Sequence, residues 1–171
     1  MSEALGHIER IADLLERVDQ ASSRLATRIE DAGARATLAT TGWSPAQIGA
    51  HVAMVNREFA ALIDGSAPHA TPAPDGFVER PWSEITKSIP ERVEAPSRVA
   101  PPAEISGNEA AALVRQSATH LRTAIAGLSP DRARCCVSSR VVGTITLYQV
   151  GEWAVGHMIR HNQQAKRILG Q

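Results

Sequence analysis

Apolar positions recur at three- and four-residue steps in four long stretches of the chain, as in helices that bury one face. The first stretch extends from about Ser2 to Asp31 and the second begins near Pro45. The stripe of the first helix comprises Leu5, Ile8, Ile11, Leu15, Val18, Leu25 and Ile29. Later stripes comprise Ile48, His51, Val55, Phe59 or Glu58, and Leu62; Leu113, Val114, Ala118, Leu121, Ile125 and Leu128; and Leu147, Val150, Ala154, His157, His161 and Ile168. The pattern predicts an all-α protein with four long helices.

Helix-start signals precede the last three stretches. Ser44 and Thr146 can each cap a helix, and Gln47 and Gln149, three residues later, complete capping boxes. Ser106 begins a similar signal. These signals predict a second helix that ends near Gly65, a third that is stopped by Ser129-Pro130, and a fourth that extends to Gly170.

The second and third helices are joined by a connection of about forty residues that holds most of the prolines. They include Pro68, Pro72, Pro74, Pro81, Pro90, Pro96, Pro101 and Pro102. Long connections are commonly functional or cross along a bundle, so the second and third helices are expected to be parallel. The short gap before the second helix suits antiparallel neighbours. We expect a short helix near Trp82 to Ile89 and an ordered loop from Val137 to Ile145.

Length and charge restrict the class of protein. A chain of 171 residues suits one domain, here 1–171, and 18 basic residues balance 18 acidic ones. Without a basic run, nucleic acid is not an expected partner. No apolar run approaches the roughly 18 residues of a membrane-spanning helix. Glu3, Glu9 and Asp13 stand where a signal peptide would be cationic and then apolar, and adjacent Cys135 and Cys136 are expected to be reduced thiols. A cytoplasmic protein without a membrane partner is predicted.

Three histidines carry the candidate chemistry. His157 and His161 lie four residues apart on the inward stripe of the fourth helix, and His51 lies on that of the second. Each unsatisfied buried polar group costs about 1–3 kcal/mol, and a shared divalent cation would satisfy all three rings. A histidine pair at this spacing is by itself more often solvated or in a core, so the third histidine matters. Three imidazole ligands leave a coordination position open, as in catalytic sites, and suit Zn, Ni, Cu, Fe or Co.

Three segments resemble sequence elements of the DinB-like family. Gly42-Trp43-Ser44-Pro45-Ala46-Gln47-Ile48-Gly49-Ala50-His51-Val52 resembles its W-[ST]-x-x-E-x-x-x-H-[LV] element. Gly143-Thr144-Ile145-Thr146-Leu147 and His157-Met158-Ile159-Arg160-His161-Asn162-Gln163-Gln164 resemble its G-x-[LI]-T-L and H-x-x-[RH]-H-x-x-Q elements. The likeness spans nearly the whole chain. Gln47 and Met158 depart from it, because family members commonly have Glu at both positions.

The resemblance implies a fold, a ligand set and a class of reaction. The fold would be an up-down-down-up four-helix bundle, often a homodimer, with a divalent ion held by His51, His157 and His161. Zn or Ni is the expected ion, and kinship with bacillithiol- and mycothiol-dependent S-transferases and isomerases suggests a low-molecular-weight thiol and a small-molecule substrate. Loss of the two Glu side chains puts catalytic competence in question, because such groups orient metal ligands.

Three functions therefore remain open: a metal-dependent thiol S-transferase, a metal-dependent hydrolase, and a non-catalytic metal-binding or dimerisation module. Glu58 is a candidate base, with a solvated helix surface as the alternative. Arg160 is expected to form a surface or interface salt bridge; the alternative is that it holds an anionic thiol cofactor. Trp43 and Trp153 either line the mouth of the site or pack. We expect exposed positions for His7 and His69 and a position near the edge of the core for His120, which is the alternative candidate for a fourth ligand.

Overall fold

Four long helices surround an apolar core in the computed structural model, which describes residues 2–32, 42–90 and 94–170. The helices in chain order are α1 (Ser2–Ala32), α2 (Pro45–Asp64), α3 (Trp82–Ile85), α4 (Gly107–Ala126), α5 (Pro130–Ala133) and α6 (Leu147–Ile168). Two 3₁₀ turns, Thr86–Ser88 and Ser97–Val99, lie between α3 and α4, and strands β1 (Cys136–Ser139) and β2 (Gly143–Thr146) lie between α5 and α6. The predominantly helical fold is confirmed, with a small sheet added.

The three long helices after α1 begin at the predicted capping residues. The Ser44 hydroxyl accepts a hydrogen bond from the Gln47 N–H, while Oε1 of Gln47 accepts one from the Ser44 N–H. Thr146 and Gln149 make the same reciprocal pair at the start of α6. At its other end, α2 stops where Gly65 adopts a φ of 91°, a left-handed conformation that favours glycine. Local side-chain chemistry thus sets the ends of the helices that bear the histidines.

Contacts along α2 define the directions of its neighbours. His51 near the start of α2 meets His157 on α6, whereas Phe59 further along meets Trp153, so these two helices are antiparallel. Against α4, Asn56 donates to Ser117, and Gly49 lies close to the Ala110 methyl. The later residue of α2 contacts the later residue of α4, so α2 and α4 are parallel.

The first helix packs on the same two partners. Glu30 pairs with Arg115, and the earlier Asp19 pairs with Arg122, so α1 is antiparallel to α4. Arg28 donates to Asn162 and the earlier His7 contacts Tyr148, so α1 is parallel to α6. The Ile29 side chain of α1 also lies against Gly49 of α2, although α1 has more contact with α4 and α6. Because α1 is parallel to α6 and α6 is antiparallel to α2, α1 and α2 are antiparallel, as expected. The link between them at 33–41 lies outside the described residues.

Three predicted core positions are exposed. Leu5 is 57% exposed, Ile8 is 62% exposed and Ile168 is 39% exposed. For Leu5 and Ile168 the reason is helix length: His7 already faces the first turn of α6, and Arg28 near the end of α1 reaches only Asn162. Leu5 and Ile168 lie beyond these contacts and have no facing helix to bury them, whereas this does not explain the exposure of Ile8, which follows His7.

The segment predicted as an ordered loop at Val137 to Ile145 forms most of a β-hairpin. Strands β1 and β2 pair antiparallel, with Cys136 opposite Thr146 and Ser139 opposite Gly143. Gly143 has a φ of 75°, which allows the chain to reverse sharply. Since Thr146 is both the last residue of β2 and the N-cap of α6, the hairpin fixes where α6 starts.

The proline-rich connection follows two helices instead of projecting into solvent. It first runs along α6, where Gln149 donates to the carbonyl of Arg80 and Arg160 donates to that of Pro90. It then returns along α2, where Arg98 pairs with Glu58. Residues 91–93, between these stretches, lie outside the described residues. Among the described helices, none is long and apolar enough to cross a membrane.

Candidate metal centre

The three predicted histidines meet between α2 and α6. His51 projects from α2, and His157 and His161 project from successive turns of α6. The Nε2 atom of His157 lies 3.3 Å from Nε2 of His51 and 3.1 Å from Nε2 of His161. One ring nitrogen from each residue lies within 4.8 Å of the others. The structure therefore forms a three-histidine cluster of the kind that could hold a metal ion.

Two of the rings are fixed by acceptors on their outer side. Nδ1–H of His51 donates to the carbonyl of Val99 at 2.8 Å. Nδ1 of His161 lies 2.8 Å from Oε1 of Gln164, which accepts its hydrogen bond. Since a neutral imidazole carries one N–H, both Nε2 atoms then present lone pairs to the inside of the cluster.

The third ring makes the cluster fit a cation. Nε2 of His157 faces both inward lone pairs and can donate a proton to only one of them. Nδ1 of His157 is buried without a hydrogen-bond partner among the described residues. Nitrogen ligands about 2.0–2.1 Å from a tetrahedral ion lie about 3.3 Å apart, close to the observed spacing. A bound cation would satisfy all three inward nitrogens.

The electrostatics of the cluster keep the imidazoles neutral. Burial lowers the pKa of His157 well below its usual range, and repulsion from His161 and His51 adds to this effect. Burial together with His51 lowers the pKa of His161 to about 4, although the bond to Gln164 opposes the shift. The pKa of His51 is also lowered by burial, despite the hydrogen bond to Val99. Neutral imidazole is the form that binds metal.

Aromatic rings line the cluster on the α2 side. The Trp43 ring lies 4.8 Å from that of His51, and the Phe59 ring lies 6.2 Å from that of His157. Trp153 packs against Phe59 at 5.1 Å. Trp43 is thus beside a candidate ligand, which agrees with the interpretation that it lines the site. Trp153 packs against Phe59 instead.

The remaining histidines lie outside the cluster. His69 is exposed, as predicted. His7 is only partly exposed because it contacts the Tyr148 hydroxyl, whereas an exposed position was expected. His120 is exposed and lines a surface cavity of about 330 Å³ with Arg132, which corrects its expected place at the edge of the core. His120 is not part of the three-residue cluster.

Two charged residues flagged by the sequence also have defined partners. Oε1 and Oε2 of Glu58 accept hydrogen bonds from Arg98 at 2.7 and 3.1 Å. This ion pair favours the solvated-surface interpretation of Glu58 over a free base. Arg160 donates to the carbonyl of Pro90 at 3.0 Å and anchors the connection.

The two departures from the family pattern have packing explanations. The side-chain amide of Gln47 donates to the carbonyls of Pro102 and Ala103 as well as completing the α2 cap. Met158 is fully buried, and its sulfur accepts a weak hydrogen bond from Asn56. Neither side chain makes a hydrogen bond to a histidine within the part of the chain described here.

Sequence reasoning did not identify what orients the rings. The Val99 carbonyl belongs to a stretch without periodicity, and a backbone atom leaves no residue-type signal. Gln164 could have been found, because a side chain three residues after His161 lies on the same helix face.

Fold and site together define a mostly helical protein with a three-histidine cluster between two of its long helices. The family model of the DinB superfamily matches residues 14–165, and the chain belongs to this superfamily. Comparison with curated proteins and with solved structures gave no significant match.

Proposed function

We propose that the protein is a divalent-metal-dependent enzyme that transfers a low-molecular-weight thiol to a small electrophilic substrate. His51, His157 and His161 would hold the ion, with Zn or Ni as the expected metal. The observation that carries the proposal is the convergence of three Nε2 atoms in a neutral, half-buried cluster. Membership of the DinB superfamily is consistent with it.

Each residue of the cluster has a defined task in this scheme. His51 and His161 direct lone pairs inward because Val99 and Gln164 hold their outer N–H groups. Phe59 packs edge-on to His157 and would limit access of water on that side. When bound, a divalent cation would lower the pKa of a thiol or water and so supply an anionic nucleophile at neutral pH. Three protein ligands leave room for that nucleophile.

Thiol transfer is favoured over hydrolysis because Glu58, the candidate base, is already paired with Arg98. A hydrolase needs a base that can accept a proton from water near the metal. Glu58, the candidate identified for that role, is held by both of its oxygens in the pair with Arg98. A thiol with a lowered pKa needs no such base, since its thiolate is already the nucleophile. The third candidate, a non-catalytic metal-binding or dimerisation module, predicts metal without turnover.

The family resemblance extends the proposal to assembly and setting. Pairwise helix directions support an up-down-down-up four-helix bundle with the proline-rich connection between its second and third long helices. We also propose a cytoplasmic homodimer of a single-domain chain, without nucleic acid or membrane as partner. Light scattering of the purified protein would give twice the chain mass for a dimer.

A thiol-conjugation assay tests the proposed reaction. Zn- or Ni-loaded protein would be incubated with bacillithiol, mycothiol, glutathione or cysteine and an electrophilic aryl or bimane halide, and the thioether product would be quantified. The proposal predicts metal-dependent conjugation above the uncatalysed rate, abolished in His157→Ala. Metal-loaded wild-type protein that accelerates ester or amide hydrolysis but no thiol conjugation would favour the hydrolase. Activity with neither class would leave the metal-binding module.

A further inference from the structure

The acceptor that orients His51 belongs to the proline-rich connection, not to the helices that bear the ligands. Val99 closes a 3₁₀ turn over Ser97–Val99, and its side chain is only 3% exposed. Its carbonyl accepts the Nδ1–H of His51 at 2.8 Å. The position of the segment 97–103 therefore decides which nitrogen of His51 carries the proton.

Besides the buried Val99, two side-chain contacts hold this segment against α2. On one side, Arg98 pairs with Glu58, but that pair is exposed at 66% and 38% of its side-chain surfaces. Exposed ion pairs contribute only about 0–1 kcal/mol. On the other side, Nε2 of Gln47 donates to the carbonyls of Pro102 and Ala103, both at 3.1 Å. Gln47 lies one helical turn before His51 on the same helix.

A side-chain amide at position 47 can both accept the hydrogen bond of the helix cap and donate to the connection. Oε1 of Gln47 accepts the Ser44 N–H at 3.0 Å and completes the helix cap, while Nε2 supplies donors to the connection. A glutamate could keep the cap but has no N–H to donate, and its charge would face two carbonyl oxygens. The residue that departs from the family pattern is therefore matched to this chain's own connection.

We propose that Gln47 is a positioning residue for the metal ligand His51 and acts through the segment 97–103. Gln47 holds the Val99 carbonyl against Nδ1–H of His51, which leaves Nε2 as the nitrogen that faces His157. The proposal rests on the proposed function in one respect, because it treats His51 as a metal ligand. The tautomer of the His51 ring is a property of the metal-free protein and can be measured separately.

Gln47→Glu is the sharpest test, because it keeps the cap and replaces the two N–H donors with a charged acceptor. A glutamate at the third helical position favours the helix, so the variant should fold. At pH 8 in the metal-free protein, the ¹⁵N shifts of the His51 ring should report the Nδ1–H tautomer in wild type and a mixture in Gln47→Glu. Competition with a chromophoric chelator should show Zn²⁺ affinity reduced about tenfold. A negative charge added near a cation would by itself strengthen binding, so a loss cannot come from charge.

Gln47→Met removes both hydrogen-bonding groups without adding charge and should give the same tautomer mixture. Glu109→Gln is the control, since Glu109 occupies the corresponding position of α4; it should leave tautomer and affinity unchanged. A His51 ring that keeps its wild-type tautomer and Zn²⁺ affinity in folded Gln47→Glu would overturn the proposal. If wild type binds no Zn²⁺, the proposed function fails, while the tautomer measurement still decides the role of Gln47.

Discussion

Gln164 holds the ring of His161 from the same helix, one turn further on. Its replacement by Met keeps the bulk of the side chain and the helix propensity but removes the acceptor for Nδ1–H. We expect Zn²⁺ affinity in Gln164→Met to decrease about 10–100-fold, because outer partners of metal-bound imidazoles have effects of that size. Titration against a chelator of known affinity measures it.

The neighbouring Gln163 provides a matched control, since its side chain is exposed. Gln163→Met should bind Zn²⁺ as wild type does. Equal affinities for the two variants would show that the contact with Gln164 has no influence on the cluster.

Substitution of Glu58 can distinguish an exposed ion pair from a catalytic base, because the two roles predict losses of different size. As one half of an exposed pair with Arg98, it should contribute at most about 1 kcal/mol to the free energy of unfolding. Glu58→Gln and Arg98→Gln should therefore reduce stability, measured by urea denaturation, by similar small amounts. Conjugation activity should change less than tenfold in both.

A catalytic base would behave differently, because its removal typically costs 10²–10⁴-fold in rate. A collapse of activity in Glu58→Gln alone, with Arg98→Gln unaffected, would contradict our assignment and restore the hydrolase interpretation.

The ligand candidates were accessible from the sequence, but the groups that orient them were not. His157 and His161 share a face because they are four residues apart, and helix periodicity turns His51 inward as well. Their meeting point depends on how α2 packs on α6. The hydrogen bond from His51 to Val99 depends further on the path of a non-periodic segment, which spacing rules cannot predict.

The close packing of α2 depends on Gly49. A Cβ added there would lie 2.5 Å from the Ile29 side chain and 3.4 Å from Ala110. Gly49→Ala should therefore lower the free energy of unfolding by about 1–3 kcal/mol, despite the gain in helix propensity. Chemical denaturation monitored by circular dichroism measures the change.

Gly6 in α1 is the matched comparison, because nothing lies within 4 Å of a Cβ built there. Gly6→Ala should be neutral or stabilise by up to about 1 kcal/mol. A stabilised Gly49→Ala variant would mean that α1 and α4 can yield at this point.

Helices were predicted more securely than the hairpin for a physical reason. Capping residues and a period near 3.6 act locally, so Ser44 and Thr146 mark helix starts whatever the packing. Strand pairing from Cys136 to Thr146 depends on contact between two segments, which no local signal encodes. Each strand has only four residues, too few to show a clear alternation of buried and exposed positions. The exposed Leu5 shows the converse limit, because periodicity does not reveal where the facing helix begins.

Stability of the metal-free protein should depend on pH through the buried imidazoles. Burial lowers the pKa of His51 and His157, and that of His161 to about 4, whereas an unfolded chain titrates near 6.5. The unfolded state therefore binds more protons below pH 6.5. The free energy of unfolding should therefore reach its full value well above pH 6.5 and decrease as the pH falls towards 4.

Urea denaturation in the presence of a chelator, at steps between pH 7.5 and pH 4, would measure this dependence. His161→Gln should show a shallower decline, because it removes one titrating ring while carboxylates elsewhere act equally in both proteins. Identical pH profiles for the two proteins would contradict the assignment of His161 as a neutral, buried imidazole.

Elemental analysis of untagged protein, wild type beside His157→Ala, tests the central claim most directly. We predict about one Zn or Ni ion per chain in wild type, either as purified or after loading, and loss of that ion in a variant that remains folded by circular dichroism. Folded wild-type protein that contains no metal and takes up neither Zn nor Ni would contradict the claim that the three histidines form a metal centre.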